Sequence, residues 1–338
     1  EPNRRTDNYS GEFNPQNSEN FFKLLYSHFT EVSADQTELS KFQQQYLKAI
    51  GEDKNETKLF EDSVNTLTYS HNPLKTNFDT LYIQAITTEK LNKLYQQHFC
   101  NPGEFTFIFT GPMSVKDGIP LIEKYIASIA IAHDAQEKEL VYKEPVLNRG
   151  NVELYFNAEN TMTSKASVSI TYHTDVDYNS KNYVTTMFLR DVLSKRCYKS
   201  IREDRGGTYH VAVSGSLNRY PQSQLVLQIE FSTNPSMVTE LLDVIQQEVD
   251  LLSKYGPTAQ EIDEAMKYRK KALDKNKSIP WSTIITHSIL NENFLDTNDS
   301  KIFDQVNAAS VHNLAKQLFG SGNKMTFVFE PQVATAEK

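Results

Sequence analysis

The most informative stretch for chemistry is Ile201-Arg-Glu-Asp-Arg-Gly-Gly-Thr-Tyr-His-Val211, which holds two hydrogen-bond donors suited to a carbonyl oxygen. Arg202 and Tyr209 stand seven positions apart, with Gly206 and Gly207 between them. Glycine accepts the left-handed backbone that a tight reversal requires. A helix that stops there, followed at once by a strand, brings a guanidinium and a phenol onto one edge, and both donate hydrogen bonds. Spacing alone also admits a plainer reading, a helix-to-strand connection carrying a snorkelling Arg and a half-buried Tyr.

Metal chemistry needs clustered ligands, and the eight histidines, at 28, 71, 98, 133, 173, 210, 287 and 312, include no pair at i, i+4. His28-Phe-Thr-Glu31 is followed by Val32, so a second imidazole is missing, and the string reads as a helix with a surface His. His173-Thr-Asp175-Val-Asp177 offers an imidazole and two carboxylates between a strand and a helix, a place that suits capping and loop solvation. No metal ligand set is expected in this chain. Cys100 and Cys197, two thiols in all, cannot form a disulfide framework and read as unpaired. No GxSxG elbow, Walker loop or GxGxxG string occurs, and Gly206-Gly207 has no lysine behind it to hold phosphate.

Charge removes a further class. Lys and Arg number 35 against 43 Asp and Glu, a net charge of −8, which offers no positive field to a phosphate backbone. The longest apolar run, near Ile126 to Ala132, is far shorter than the roughly 20 residues that span a bilayer. A hydrophobic content of 38% with 11% aromatics is that of an ordinary globular protein of two domains rather than a disordered chain. The first residues, Glu1-Pro-Asn-Arg-Arg, lack an initiator Met and an apolar signal segment, so the compartment is unreadable from them.

The elements that would position these residues repeat. Phe105-Thr-Phe-Ile-Phe109 and Met325-Thr-Phe-Val-Phe329 lie 220 positions apart, and at the same offset Phe99 falls on Phe319, Leu91 on Val311 and Leu94 on Leu314. Asn14-Pro15 falls on Asn234-Pro235. The helical stripe Phe22, Leu25, Phe29, Val32 falls on Leu242, Ile245, Val249, Leu252. A middle helix pair, Leu39, Phe42, Tyr46 against Ile262, Ala265, Arg269, fits at 223. The second copy reads as strands near 152–156, 166–172, 208–213 and 225–231 with a long helix over 180–201, then helices near 236–254, 258–274 and 281–294, a helix ending at Phe319 and a last strand. Strands first and helices after predict an α+β fold rather than a doubly wound sheet. Counterparts of 151–220 would fall before Glu1, so the first copy is expected to be truncated at its N-terminus, with domains 1–146 and 147–338. A helix is expected over 119–131, and 136–150 reads as the linker between copies.

Duplicated α+β units together with the IREDRGGTYHV stretch resemble the C-terminal half of a long, single-chain member of the pitrilysin/insulinase family of zinc metallopeptidases. In that family an Arg followed seven residues later by a Tyr across a Gly-containing turn reaches toward the zinc-bearing half. The resemblance implies that Arg202 and Tyr209 bind substrate and that Tyr209 helps stabilise the tetrahedral intermediate. It further implies zinc in the full-length enzyme, bound by HxxEH on an N-terminal half absent from this chain, which alone would be inactive. The implied partners are that half and peptide substrates, with no nucleic acid and no membrane span; the location stays unknown, the resemblance allowing a soluble periplasmic or organellar protein. A non-catalytic scaffold or peptide-binding partner subunit of the same fold is the alternative.

Overall fold

A strand covered on both faces is apolar at almost every position, and Met325-Thr-Phe-Val-Phe329 answers to that description. In the computed structural model, which describes residues 9–52, 56–75, 79–131, 144–159, 163–275, 285 and 300–332, this segment lies inside a five-stranded sheet. Contacts divide the chain into two compact units, Glu1–Asp53 with Phe78–Val141 and Trp281–Thr286, and Lys54–Asn77 with Tyr142–Pro280 and His287–Lys338. The boundary near 147 expected from the repeat leaves 54–77 with the first copy, whereas those residues cluster with the second unit.

The second unit holds β1 (Asn151–Ala158), β2 (Ala166–Asp175), β3 (Thr208–Asn218), β4 (Gln224–Thr233) and β5 (Lys324–Pro331), in the order β1-β5-β2-β4-β3. All pairs are antiparallel except β1 with β5. Alternation sets the faces. Val168, Ile170 and Tyr172 lie opposite Phe231, Ile229 and Leu227 and face one core with Val328, while Gln228 and Glu230 turn the other way. That core is completed by α7 (Ser180–Cys197), α8 (Val238–Tyr255), α9 (Ala259–Lys275) and α10 (Ala308–Phe319), through Phe188, Leu189, Leu241, Ile245, Val311 and Leu318 among others. The opposite face of β5 is covered by α3 (Glu56–Tyr69), whose Phe60 packs 5.3 Å from Phe329 and 5.9 Å from Phe156, ring centre to ring centre. α9 carries little apolar surface and is tied to α7 by two bidentate ion pairs, Arg196 with Glu261 and Arg269 with Asp191. Arg269 therefore belongs to an ionic clamp rather than to an apolar stripe.

The first unit comprises α1 (Ser18–Thr30), α2 (Gln36–Glu52), α4 (Thr80–Gln84), α5 (Thr88–Phe99) and α6 (Val115–Tyr125). Phe22, Leu25 and Phe29 of α1 pack on Tyr125, Ile126 and Ile129, with Phe105, Phe107 and Phe109 against them. The repeat survives in element bounds: α5 and α10 differ by 220 and α2 and α9 by 223 at both ends. Even the caps match, since Asn14 and Asn234 each accept the backbone N–H two residues on at 3.1 Å.

Three expectations need correction. Residues 105–109, whose match to the last strand predicts a strand in the first copy as well, form none, because a ladder needs a neighbour and the first unit has no strand among its described residues. The helix expected over 119–131 runs instead over Val115–Tyr125, since Ser114 caps it four residues earlier and Pro120 sits inside without ending it. The long helix expected over 180–201 is α-helical only to Cys197 and continues as one wide π turn, Tyr198–Glu203. The helix expected near 281–294 lies outside the described residues except Ile285, as does 136–143 of the linker.

Candidate functional site

The π turn places Arg202 one step before the reversal, and the reversal is built from backbone. Gly206 donates to the Arg202 carbonyl at 3.0 Å and Gly207 to the Ile201 carbonyl at 2.9 Å. Gly206 has φ +60°, the left-handed region that glycine enters without strain. Gly207 is required for space. A Cβ there would stand 2.8 Å from Cδ2 and 2.9 Å from Cδ1 of Leu241, a side chain with no exposure. The turn thus rests directly on α8.

Side chains pin it further. The Ser200 hydroxyl donates to the Glu248 carboxylate of α8. Arg205 donates from Nη1 to the Ser200 carbonyl at 2.8 Å and pairs with Glu240 at 3.3 Å. The Arg202 guanidinium carbon lies 4.9 Å from the centre of the Tyr198 ring, a cation–π distance. On the strand side the register between β3 and β4 shifts between Thr208 and Val211, a bulge that contains Tyr209 and His210. Thr208 closes it, its hydroxyl serving the His210 and Ser232 carbonyls at 2.9 and 2.6 Å. The structure therefore carries Arg202 and the Tyr209 backbone on one connection at the edge strand of the sheet, while the Tyr209 side chain lies outside the described residues. Spacing and the family resemblance together single out the pair. Tyr198, Ser200, Glu248 and Arg205 were missed, and an aromatic four residues before Arg202 was the available signal.

The metal candidates resolve into structural groups. His173 is fully buried, donating from Nε2 to the Asn148 carbonyl at 2.9 Å and accepting at Nδ1 from Gln224 at 3.1 Å. Burial, the strongest influence, holds its pKa below the ordinary value, so the ring is neutral with both nitrogens engaged. Asp175 pairs with Arg149, and the Asp177 carbonyl accepts from Asn182 while Asn179 caps α7. His28 is half-buried, its ring 5.1 Å from that of Tyr9. Among the described residues no three His, Cys, Asp or Glu side chains gather as a metal site. Cys100 and Cys197 are unpaired, and burial pushes the Cys197 thiol up to about 12, which leaves it protonated and inert. A cavity of about 280 Å³ between α8 and the start of β5 is lined by Tyr172, Gln246, Asp250 and Lys324. Its polar atoms serve one another, Gln246 accepting from Lys324 at 2.8 Å and donating to Asp250 at 2.8 Å.

The profile of the peptidase M16 inactive domain matches residues 85–268, more than half of the chain and all of the connection from Arg202 to Tyr209. The chain belongs to this family. Within it, the chain is 26% identical over 222 residues to the probable zinc protease PqqL of Haemophilus influenzae, an alignment that takes in 60% of this chain and 21% of that protein. The crystal structure of the periplasmic protease PqqL from Escherichia coli has the same fold, with a TM-score of 0.74 at 19% identity over 94% of this chain and 35% of the other. A peptidase M16 inactive domain from Pseudomonas fluorescens matches with a TM-score of 0.70 at 18% identity, over 95% of this chain and 76% of that one. The chain spans about a fifth of the length of its curated PqqL relative. The M16 fold bears out the α+β reading and the family resemblance drawn from the repeat and the Arg202 to Tyr209 motif. No helix among the described residues is long and apolar enough to cross a membrane.

Proposed function

We propose that this chain is the C-terminal, non-metal part of a zinc-dependent endopeptidase, in which it forms a wall of the substrate chamber and presents Arg202 and Tyr209 to the peptide. The observation that carries the reading is the Arg202 to Tyr209 connection, wedged on Leu241 and cross-linked to α8, in a chain of the M16 inactive-domain family. The described residues do not fit zinc, so the metal belongs to the zinc-bearing N-terminal half, this chain's partner in the reading. Short or unfolded polypeptides are the substrates, and a periplasmic or organellar location goes with the same reading.

The chemistry left to this chain is binding and charge stabilisation. Guanidinium N–H groups lie in one plane in a fixed fork, so Arg202 can hold a backbone carbonyl of the substrate. The Tyr209 phenol donates one hydrogen bond to the oxygen that gains charge as the peptide carbonyl becomes tetrahedral. In the full-length enzyme, Tyr209→Phe is expected to lower kcat by about 10²–10³, roughly 3–4 kcal/mol, while the thermal midpoint holds. Arg202→Ala is expected to raise KM more than it lowers kcat, because a carbonyl held in ground and transition states alike contributes uniform binding. Steady-state kinetics with a melting curve for each variant reads both. Parental kinetics in both well-folded variants would refute the assignment and favour the scaffold.

A further inference from the structure

The backbone on either side of Arg202 is tied down by its neighbours, yet the side chain has four rotatable bonds between Cα and the fork, and holding such a chain in place costs entropy. The backbone is held by Ile201, fully buried, by the Gly207 bond to the Ile201 carbonyl, and by the contacts of Ser200 and Arg205 with α8. One contact of the side chain is with the Tyr198 ring, four residues earlier and 4.9 Å from the guanidinium carbon. Tyr198 is the last cap of α7 and 39% exposed, so its ring packs little of the core and is available for another purpose.

We infer that Tyr198 is a positioning residue whose ring holds the Arg202 guanidinium in the pose that meets substrate, an inference that rests on the reading of Arg202 as substrate-holding. An aromatic face attracts a cation through the negative centre of its quadrupole. A guanidinium over such a face is used through its own face, and its N–H groups remain directed outward in its plane. Stacking of this kind orders the fork through its face rather than through the N–H groups that bind a carbonyl. It also restricts the rotamers lost on binding, so the entropy is spent during folding rather than when peptide arrives. The face and not the hydroxyl does this, so Phe serves as well as Tyr.

The test is a double-mutant cycle on KM in the full-length enzyme with a peptide substrate. Tyr198→Leu is expected to raise KM about 2- to 5-fold, the change that an exposed cation–π contact is worth, with kcat near the parent. Tyr198→Phe is expected to keep the parental KM. In an Arg202→Ala background Tyr198→Leu is expected to change nothing further, which a merely structural role for the ring does not predict. A parental KM in Tyr198→Leu alongside a raised KM in Arg202→Ala would overturn the inference and leave the function reading standing. An equal rise from Tyr198→Leu in both backgrounds would also overturn it, since the effect would then bypass Arg202. A parental KM in Arg202→Ala would overturn the substrate-holding role of Arg202 and this inference with it.

Discussion

A buried histidine withholds charge, and His173 shows what that does to stability. Its Nε2 hydrogen and its Nδ1 lone pair are both used, and burial depresses its pKa below the value of 6.5 it has when unfolded, against the pull of the Asn148 carbonyl and Asp175. The unfolded chain therefore takes up the proton first as pH falls, so this group's contribution is complete above about pH 6.5 and declines below it. Thermal midpoints between pH 7 and pH 5 should fall, and fall less steeply in His173→Gln, which can still donate and accept. An unchanged slope in that variant would refute the assignment. The same residue illustrates a limit of reading motifs, because His173 with Asp175 and Asp177 has the composition of a metal site while hydrogen bonding and an ion pair have already claimed its atoms. Arg202 and Tyr209 stand out in the sequence because they lie seven residues apart across a glycine turn. Tyr198 does not, because an aromatic at four residues is usually packing.

At the scale of elements, the connection between α7 and β3 is set by two glycines with different tasks. Gly206 supplies the left-handed backbone and has open space around it, whereas Gly207 has no room for a methyl group against Leu241 and Met237. Gly207→Ala must displace a fully buried leucine, and such overpacking costs about 1–3 kcal/mol. A lowered thermal midpoint is the expected outcome; a variant as stable as the parent would mean that Leu241 can repack. Element type was largely readable. The period-2 pattern of Leu225 to Phe231 specified β4 and its faces, and the stripe on α1 specified its buried side. Residues 105–109 carry the same pattern as β5 and yet form no ladder, because a strand is completed by its neighbours and not by its own residues.

In the whole molecule, α3 joins the second unit although its position in the chain lies among helices of the first. The reason is the apolar face made by Phe156 of β1 and Phe327 and Phe329 of β5, which no helix of the main core covers and which Phe60 meets edge-on and tilted. Phe60→Ala in the intact chain should cost about 2 kcal/mol, roughly half the figure for a fully buried phenylalanine, since Phe60 is only half-buried. Calorimetry should find the loss in the transition of the second unit. A loss confined to the first unit would place α3 there instead.

The amino-acid sequence alone determined what depends on local pattern: which segments of the second unit are strands and helices, the repeat near 220, the unpaired thiols and the Arg202 to Tyr209 spacing. Side-chain periodicity and backbone freedom at glycine are properties of neighbouring residues, so they can be read in order along the chain. Tertiary structure decided which unit α3 covers, that Arg269 closes an ion pair with Asp191, that 105–109 stays unpaired among the described residues, and that Tyr198 lies beside Arg202. Each of those depends on surfaces and charges brought together from distant or differently wound parts of the chain, and burial and pairing exist only once that packing is complete.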